Sequence, residues 1–155
     1  MSVETILKMI EQVSPDDTAK LDEIDARVWC YLNKETFTGG YVETNFIYNY
    51  HTKENKGGYL LDEDEHRLTR SRDALKAIRP ESCEFIQVMQ NNIGNAYCQL
   101  NLDGSEFQTP FGDKNDAPNH CASGWLPTEE LAELHAIIQA IAYKRNQDAN
   151  NRPTT

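Results

Sequence analysis

The side chains best suited to chemistry are four histidines, His51, His66, His120 and His135, and four cysteines, Cys30, Cys83, Cys98 and Cys121. His66 closes the run "LDEDEH", where Asp62, Glu63, Asp64 and Glu65 precede an imidazole. A carboxylate–histidine cluster can hold a divalent ion or act as an acid–base pair. This run lacks the glycine and the spaced ligands of an EF-hand loop, so it reads as solvated charge. The second acidic stretch, "DGSEFQTPFGDKND" at 103–116, has no ligand spacing either. No two cysteines form a CxxC pair, and scattered cysteines with His120 lack the close pairing usual for zinc. The thiols are expected to be reduced, buried and structural. Adjacent His120 and Cys121 point to opposite faces if that stretch is extended. A dyad of Cys121 with His51 stays open, because catalytic partners meet in space rather than in sequence. Phosphate-loop, GxSxG and HExxH patterns are all missing. No catalytic residue, metal ligand or cofactor is assigned.

A different feature stands out. Residues 66–80, "HRLTRSRDALKAIRP", hold Arg67, Arg70, Arg72, Lys76 and Arg79, five of the fifteen lysines and arginines. Against them stands only Asp73, so the segment is +4 in a chain of net charge −10, and the other 140 residues sum to −14. Arg67, Arg70 and Arg72, with Ser71 at a helix start, form a candidate site for a nucleotide-like anion. The alternative is internal: the acids Asp62 to Glu65 lie immediately upstream and can neutralise the cluster.

The elements that must position these groups are readable from spacing. Val3, Ile6, Leu7, Ile10 and Val13 predict a helix over 2–13 with Ser2 as cap. Ser14, Pro15 and two acids predict a new helix from 14 to about Asn33, burying Leu21, Ile24, Val28 and Leu32. Gly39 and Gly40 end that unit. Residues 41–65 then read as an extended excursion or hairpin carrying Tyr41, Tyr48, Tyr50 and Tyr59, a candidate contact surface. Ser71 caps a predicted helix over 72–79, which places Arg72, Lys76 and Arg79 on one face and Pro80 at its end. "SCEFIQVMQ" and "NAYCQLNL" predict a hairpin around "NNIG". In its second strand Ala96, Cys98, Leu100 and Leu102 alternate with polar positions, so one face is buried. "HCASGW" at 120–125 is a candidate short strand within the loop-rich stretch 103–126. Thr128, Glu129 and Glu130 open a core helix to Arg145, striped by Leu131, Leu134, Ile137, Ile138 and Ile141. His135 falls on the flank of that stripe.

The expected fold is therefore α+β, a small mostly antiparallel sheet sandwiched between helices in a single domain over 1–146, with a polar tail at 147–155. At this length a chain buries roughly 70% of its unfolded surface and needs no disulfide staples. No apolar run approaches the roughly 18 residues of a membrane span. The first residues have no apolar signal region, and the expected location is the cytoplasm. A body this acidic repels nucleic-acid phosphates and attracts basic partners.

"LTRSRDALKAIRPE", two strands and the closing "PTEELAELHAIIQAIAYKR" resemble the phage ABA-sandwich domain family. Thr69, Ser71, Asp73, Ala74, Pro80 and Glu81 match its outline over 66–102 and 126–145, and residues 21–32 match its opening helix loosely. The chain departs at "PESCEF", where relatives have a glycine and then a tryptophan. The resemblance implies a layered sandwich encoded by a phage or prophage, and it implies no activity. The leading expectation is a non-enzymatic accessory protein that binds a basic host or phage protein, such as a nucleic-acid-binding defence component. The alternatives are an anion-sequestering module built on residues 67–72 and a hydrolase with an unrecognised site.

Overall fold

Ser2 accepts a hydrogen bond from the Thr5 amide and starts α1 (Val3–Gln12), as its cap and apolar spacing predict. The computed structural model describes residues 2–34, 47–49, 54–57, 67–81, 83–102 and 120–150. The chain divides into two compact units, residues 1–77 and 78–155, and each is described by itself.

In the first unit α1 packs on α2 (Thr18–Leu32) and buries Ile6 and Ile10. α2 begins three residues later than Ser14 as cap and Pro15 as first helical residue suggest. Ser14 instead closes a turn: its carbonyl accepts the Asp17 amide at 3.0 Å and its hydroxyl the Asp16 amide at 3.3 Å. Asp17 then caps the helix through the Lys20 amide at 3.1 Å. Asp is as good a cap as Ser, so the chain reverses before the helix starts. Leu21, Ile24, Ala26, Val28 and Cys30 are buried, while Leu32 at the end of the expected stripe is only half-buried. The excursion contains an antiparallel pair, β1 (Ile47–Asn49) with β2 (Glu54–Gly57), joined through Ile47–Gly57 and Asn49–Glu54.

The unit closes on α3 (Arg72–Lys76), capped by Ser71, whose hydroxyl accepts the Ala74 amide at 3.2 Å. α3 is shorter than the predicted 72–79. The Ala77 amide bonds back to the Ala74 carbonyl, tightening the last turn. Pro80 disfavours helical backbone at Arg79, so Arg79 leaves the helix.

The second unit holds one sheet of order β3 (Cys83–Gln90), β4 (Ala96–Leu102), β5 (His120–Ala122), antiparallel throughout. The fold is α+β, as expected. The β3–β4 hairpin turns over Asn91–Asn95, where Asn91 Oδ1 accepts the Ile93 and Asn95 amides and Gly94 takes φ +85°. A left-handed residue after a tight turn is a glycine position. "HCASGW" does contain a strand. α4 (Glu129–Asn150) starts at Thr128, whose hydroxyl accepts the Leu131 amide at 3.1 Å, and continues five residues past Arg145. Residues 147–150 of the expected tail are thus helical.

α4 packs against all three strands. Ala96, Cys98 and Leu100 are fully buried, as their alternation requires. Every residue from Leu131 to Ile138 is buried, which includes Glu133 and His135 as well as the apolar stripe. His135 is therefore interior rather than a boundary residue. Gln139 explains how: its amide nitrogen donates to the Ala122 carbonyl at 2.7 Å and to His135 Nδ1 at 2.8 Å. Removing packed atoms here is costly. Ile138→Ala should lower the unfolding free energy by about 2–5 kcal/mol, read from denaturant titration.

Candidate functional site

Asp22 and Asp25 sit three residues apart on α2, so both side chains leave one face of the helix. The Asp25 side chain is 0% exposed and that of Asp22 is 11% exposed. Arg70 meets them: its Nη2 donates to Asp22 Oδ1 at 2.5 Å and to Asp25 Oδ2 at 2.9 Å. Thr69 completes the shell, its amide on Asp25 Oδ1 at 2.9 Å and its hydroxyl on Oδ2 at 3.2 Å. One arginine nitrogen serves both carboxylates, while buried Arg70 Nε has no acceptor among the described residues. The pairing therefore offsets burial only in part. Desolvation pushes the Asp25 carboxyl up to about 6, although Arg70 and Thr69 pull it down. The same carboxylates hold Arg70 above its ordinary value against its own desolvation.

Arg79 makes the matching contact in the second unit. Its Nε donates to Glu133 Oε1 at 2.8 Å and its Nη2 shares that oxygen, inside a carboxylate that is 0% exposed. Lys76 makes only a solvent-exposed approach to Asp73, 3.6 Å away, which contributes little. Of the four residues considered for an anion, Arg70 binds acids of α2 and Ser71 caps α3. Arg67 and Arg72 also have interaction partners. Asp62 to Glu65, Tyr41, Tyr50, Tyr59, His51 and His66 lie outside the described residues, and Tyr48 is described only as backbone of β1.

Among the thiol groups Cys121 is the one whose burial most clearly suppresses its reactivity. All four cysteines are thiols, and Cys30, Cys98 and Cys121 are buried. Burial pushes the Cys121 thiol up to about 11, with nearby Cys83 adding to it. It stays protonated at neutral pH, and the thiolate is the reactive form. Among the described residues no three His, Cys, Asp or Glu side chains gather as metal ligands.

One surface went unnoticed in the sequence. Met89, Ile93 and Trp125 are the exposed large hydrophobic side chains among the described residues, and all three belong to the second unit. Met89 faces Tyr97 across β3 and β4, and the Tyr97 and Trp125 rings lie 5.6 Å apart at 45°. Ile93 sits in the adjoining turn. The available signal was the alternation of β4, which puts Tyr97 opposite buried Ala96 and Cys98. Comparison with models of protein families, with curated proteins and with solved structures finds no match to this chain.

Two outcomes are expected. Because the folded Asp25 carboxyl holds its proton more tightly than an unfolded one at 3.8, its contribution is full below pH 3.8 and is lost as pH rises through about 6. The loss is on the order of 3 kcal/mol. Denaturant titrations of wild type and Asp25→Asn over that window should differ by this falling component; parallel curves would overturn it. At pH 7 a thiol reagent should label half-buried Cys83 well ahead of Cys121. Equal rates under native conditions would contradict the burial argument.

Proposed function

We propose that this chain is a phage- or prophage-encoded accessory protein of the host cytoplasm, which acts by binding a basic host or phage protein and not by catalysis. The observation that carries the reading is the engagement of its own arginines. Arg70 and Arg79 are occupied by interior carboxylates and do not face an external anion, and the chain as a whole carries −10. That charge repels nucleic-acid phosphates and anionic lipid and draws basic proteins in. No described helix is long and apolar enough to cross a membrane. The protonated state of Cys121 counts against a thiol hydrolase. The capping role of Ser71 and the ion pairs of Arg70 count against an anion pocket built on residues 67–72. The resemblance of "LTRSRDALKAIRPE" to the phage ABA-sandwich family supplies the proposed source.

The tagged protein, incubated with bacterial lysate at low salt, should retain strongly basic proteins and release them as salt screens the attraction. A return no richer in basic proteins than a tag-only control overturns the proposal. Stabilisation of the wild type by a nucleotide in a thermal-shift panel would favour anion capture instead.

A further inference from the structure

The exposed apolar surface is held in place by a specific backbone device. β4 and β5 pair through Gln99–Ala122 and Leu100–Cys121, and the pairing continues through Ser123, whose amide donates to the Cys98 carbonyl at 2.9 Å. Leu126 then bridges to Ala96, with amide–carbonyl contacts of 2.6 and 2.7 Å. Between these two clamps β4 supplies one residue, Tyr97, while the other strand supplies two, Gly124 and Trp125. This is a β-bulge with a left-handed glycine, since Gly124 has φ +73°. Ser123 fixes it further: its hydroxyl accepts the Cys98 amide at 2.9 Å and donates to the Gly124 carbonyl at 2.6 Å.

The bulge decides where the tryptophan goes. Strict alternation from buried Cys121 and Ser123 would send residue 125 inward. The extra residue keeps Leu126 inward and buried and turns Trp125 out beside Tyr97. Without the register shift Leu126 would face outward and Trp125 would be the side chain turned in. The chain instead leaves it 50% exposed on a rigid frame, with Met89 38% and Ile93 80% exposed nearby. α4 occupies the other face of this sheet, and among the described residues no other helix belongs to this unit.

We infer that Trp125, Tyr97, Met89 and Ile93 form the docking surface for a basic, extended segment of a partner protein, a surface on which arginine or lysine stems lie against the Trp125 and Tyr97 rings. The inference rests on the reading of the chain as a binder of basic proteins and gives that reading a place. Charge complementarity selects the occupant. A second copy of the chain would bring two bodies of −10 together, and nucleic acid or anionic lipid would be repelled for the same reason. A cationic side chain gains from the ring face as well as from the field. Preorganised Trp and Tyr side chains are the anchors that binding surfaces most often use.

The test uses the full chain and a labelled synthetic peptide alternating arginine and leucine, read by fluorescence anisotropy at low salt. A matched peptide alternating glutamate and leucine is the control. The expected result is binding of the basic peptide only, weakened about thirtyfold by Trp125→Ala and also weakened by Ile93→Asn, which removes apolar surface without changing charge. Ile93 lies at an exposed turn, so that variant keeps the fold. Basic-peptide binding that both variants leave unchanged overturns the assigned surface but leaves a binder of basic proteins standing. Wild type that binds neither peptide overturns both. A dimer in light scattering that Trp125→Ala dissolves assigns the surface to a second copy and overturns the occupant, as would Trp125-dependent binding of single-stranded DNA or anionic vesicles.

Discussion

An ionised carboxylate taken out of water must be met by a cation and by hydrogen bonds, or it will not stay ionised. Asp25 in the first unit and Glu133 in the second both have side chains that are 0% exposed. Each is met by one arginine from the same short stretch of chain, Arg70 for Asp25 and Arg79 for Glu133. The basic segment of this acidic protein therefore serves its interior. Breaking such a pair by removing one partner costs more than replacing the whole pair with apolar groups. The contacts thus act as much through constraint as through stability: Asp25 accepts Arg70 and Thr69 only when residues 67–71 lie against α2, with Ser71 next in line to start α3.

The second unit is organised by register. β4 places Ala96, Cys98 and Leu100 against α4, and a one-residue slip would turn all of them to the other face. Two left-handed glycines bracket this strand's pairing, Gly94 in the turn before it and Gly124 in the bulge opposite its start. Each lets a neighbouring apolar side chain, Ile93 or Trp125, project outward without disturbing the inward series. Open space surrounds a Cβ built at either glycine, so what glycine supplies there is backbone conformation and not room.

Spacing in the sequence carried the helices well because caps and apolar stripes are local. Ser2, Thr128 and Ser71 all cap as their types suggest. The boundaries that moved did so through competing local bonds, as at Ser14, or through Pro80 acting back on Arg79. The carboxylate partners were a different matter, because Arg70 lies 45 residues from Asp25 and Arg79 lies 54 from Glu133. One clue was there. On a helical wheel Asp25 falls about 40° beyond Leu21, at the edge of the stripe made by Leu21, Ile24 and Val28. A carboxylate at the edge of an apolar stripe demands a cation, and the basic segment was the obvious supply. The bulge had no comparable signal beyond "SGW", since a register shift depends on what the strand pairs with.

The two features answer different needs of a binding protein. Long-range charge governs how often a partner arrives, while buried aromatic anchors govern how long it stays. Drawing Arg70 and Arg79 into the interior removes local positive potential that would compete with the first effect. Turning Trp125 out at a bulge, with Leu126 kept inward, supplies the second. Without the bulge the same sequence would turn the indole inward and Leu126 outward, so the extra residue selects which of the two side chains is exposed. Its retention on a clamped backbone, beside Tyr97 and away from α4, is what makes the outer face of this sheet more than leftover surface.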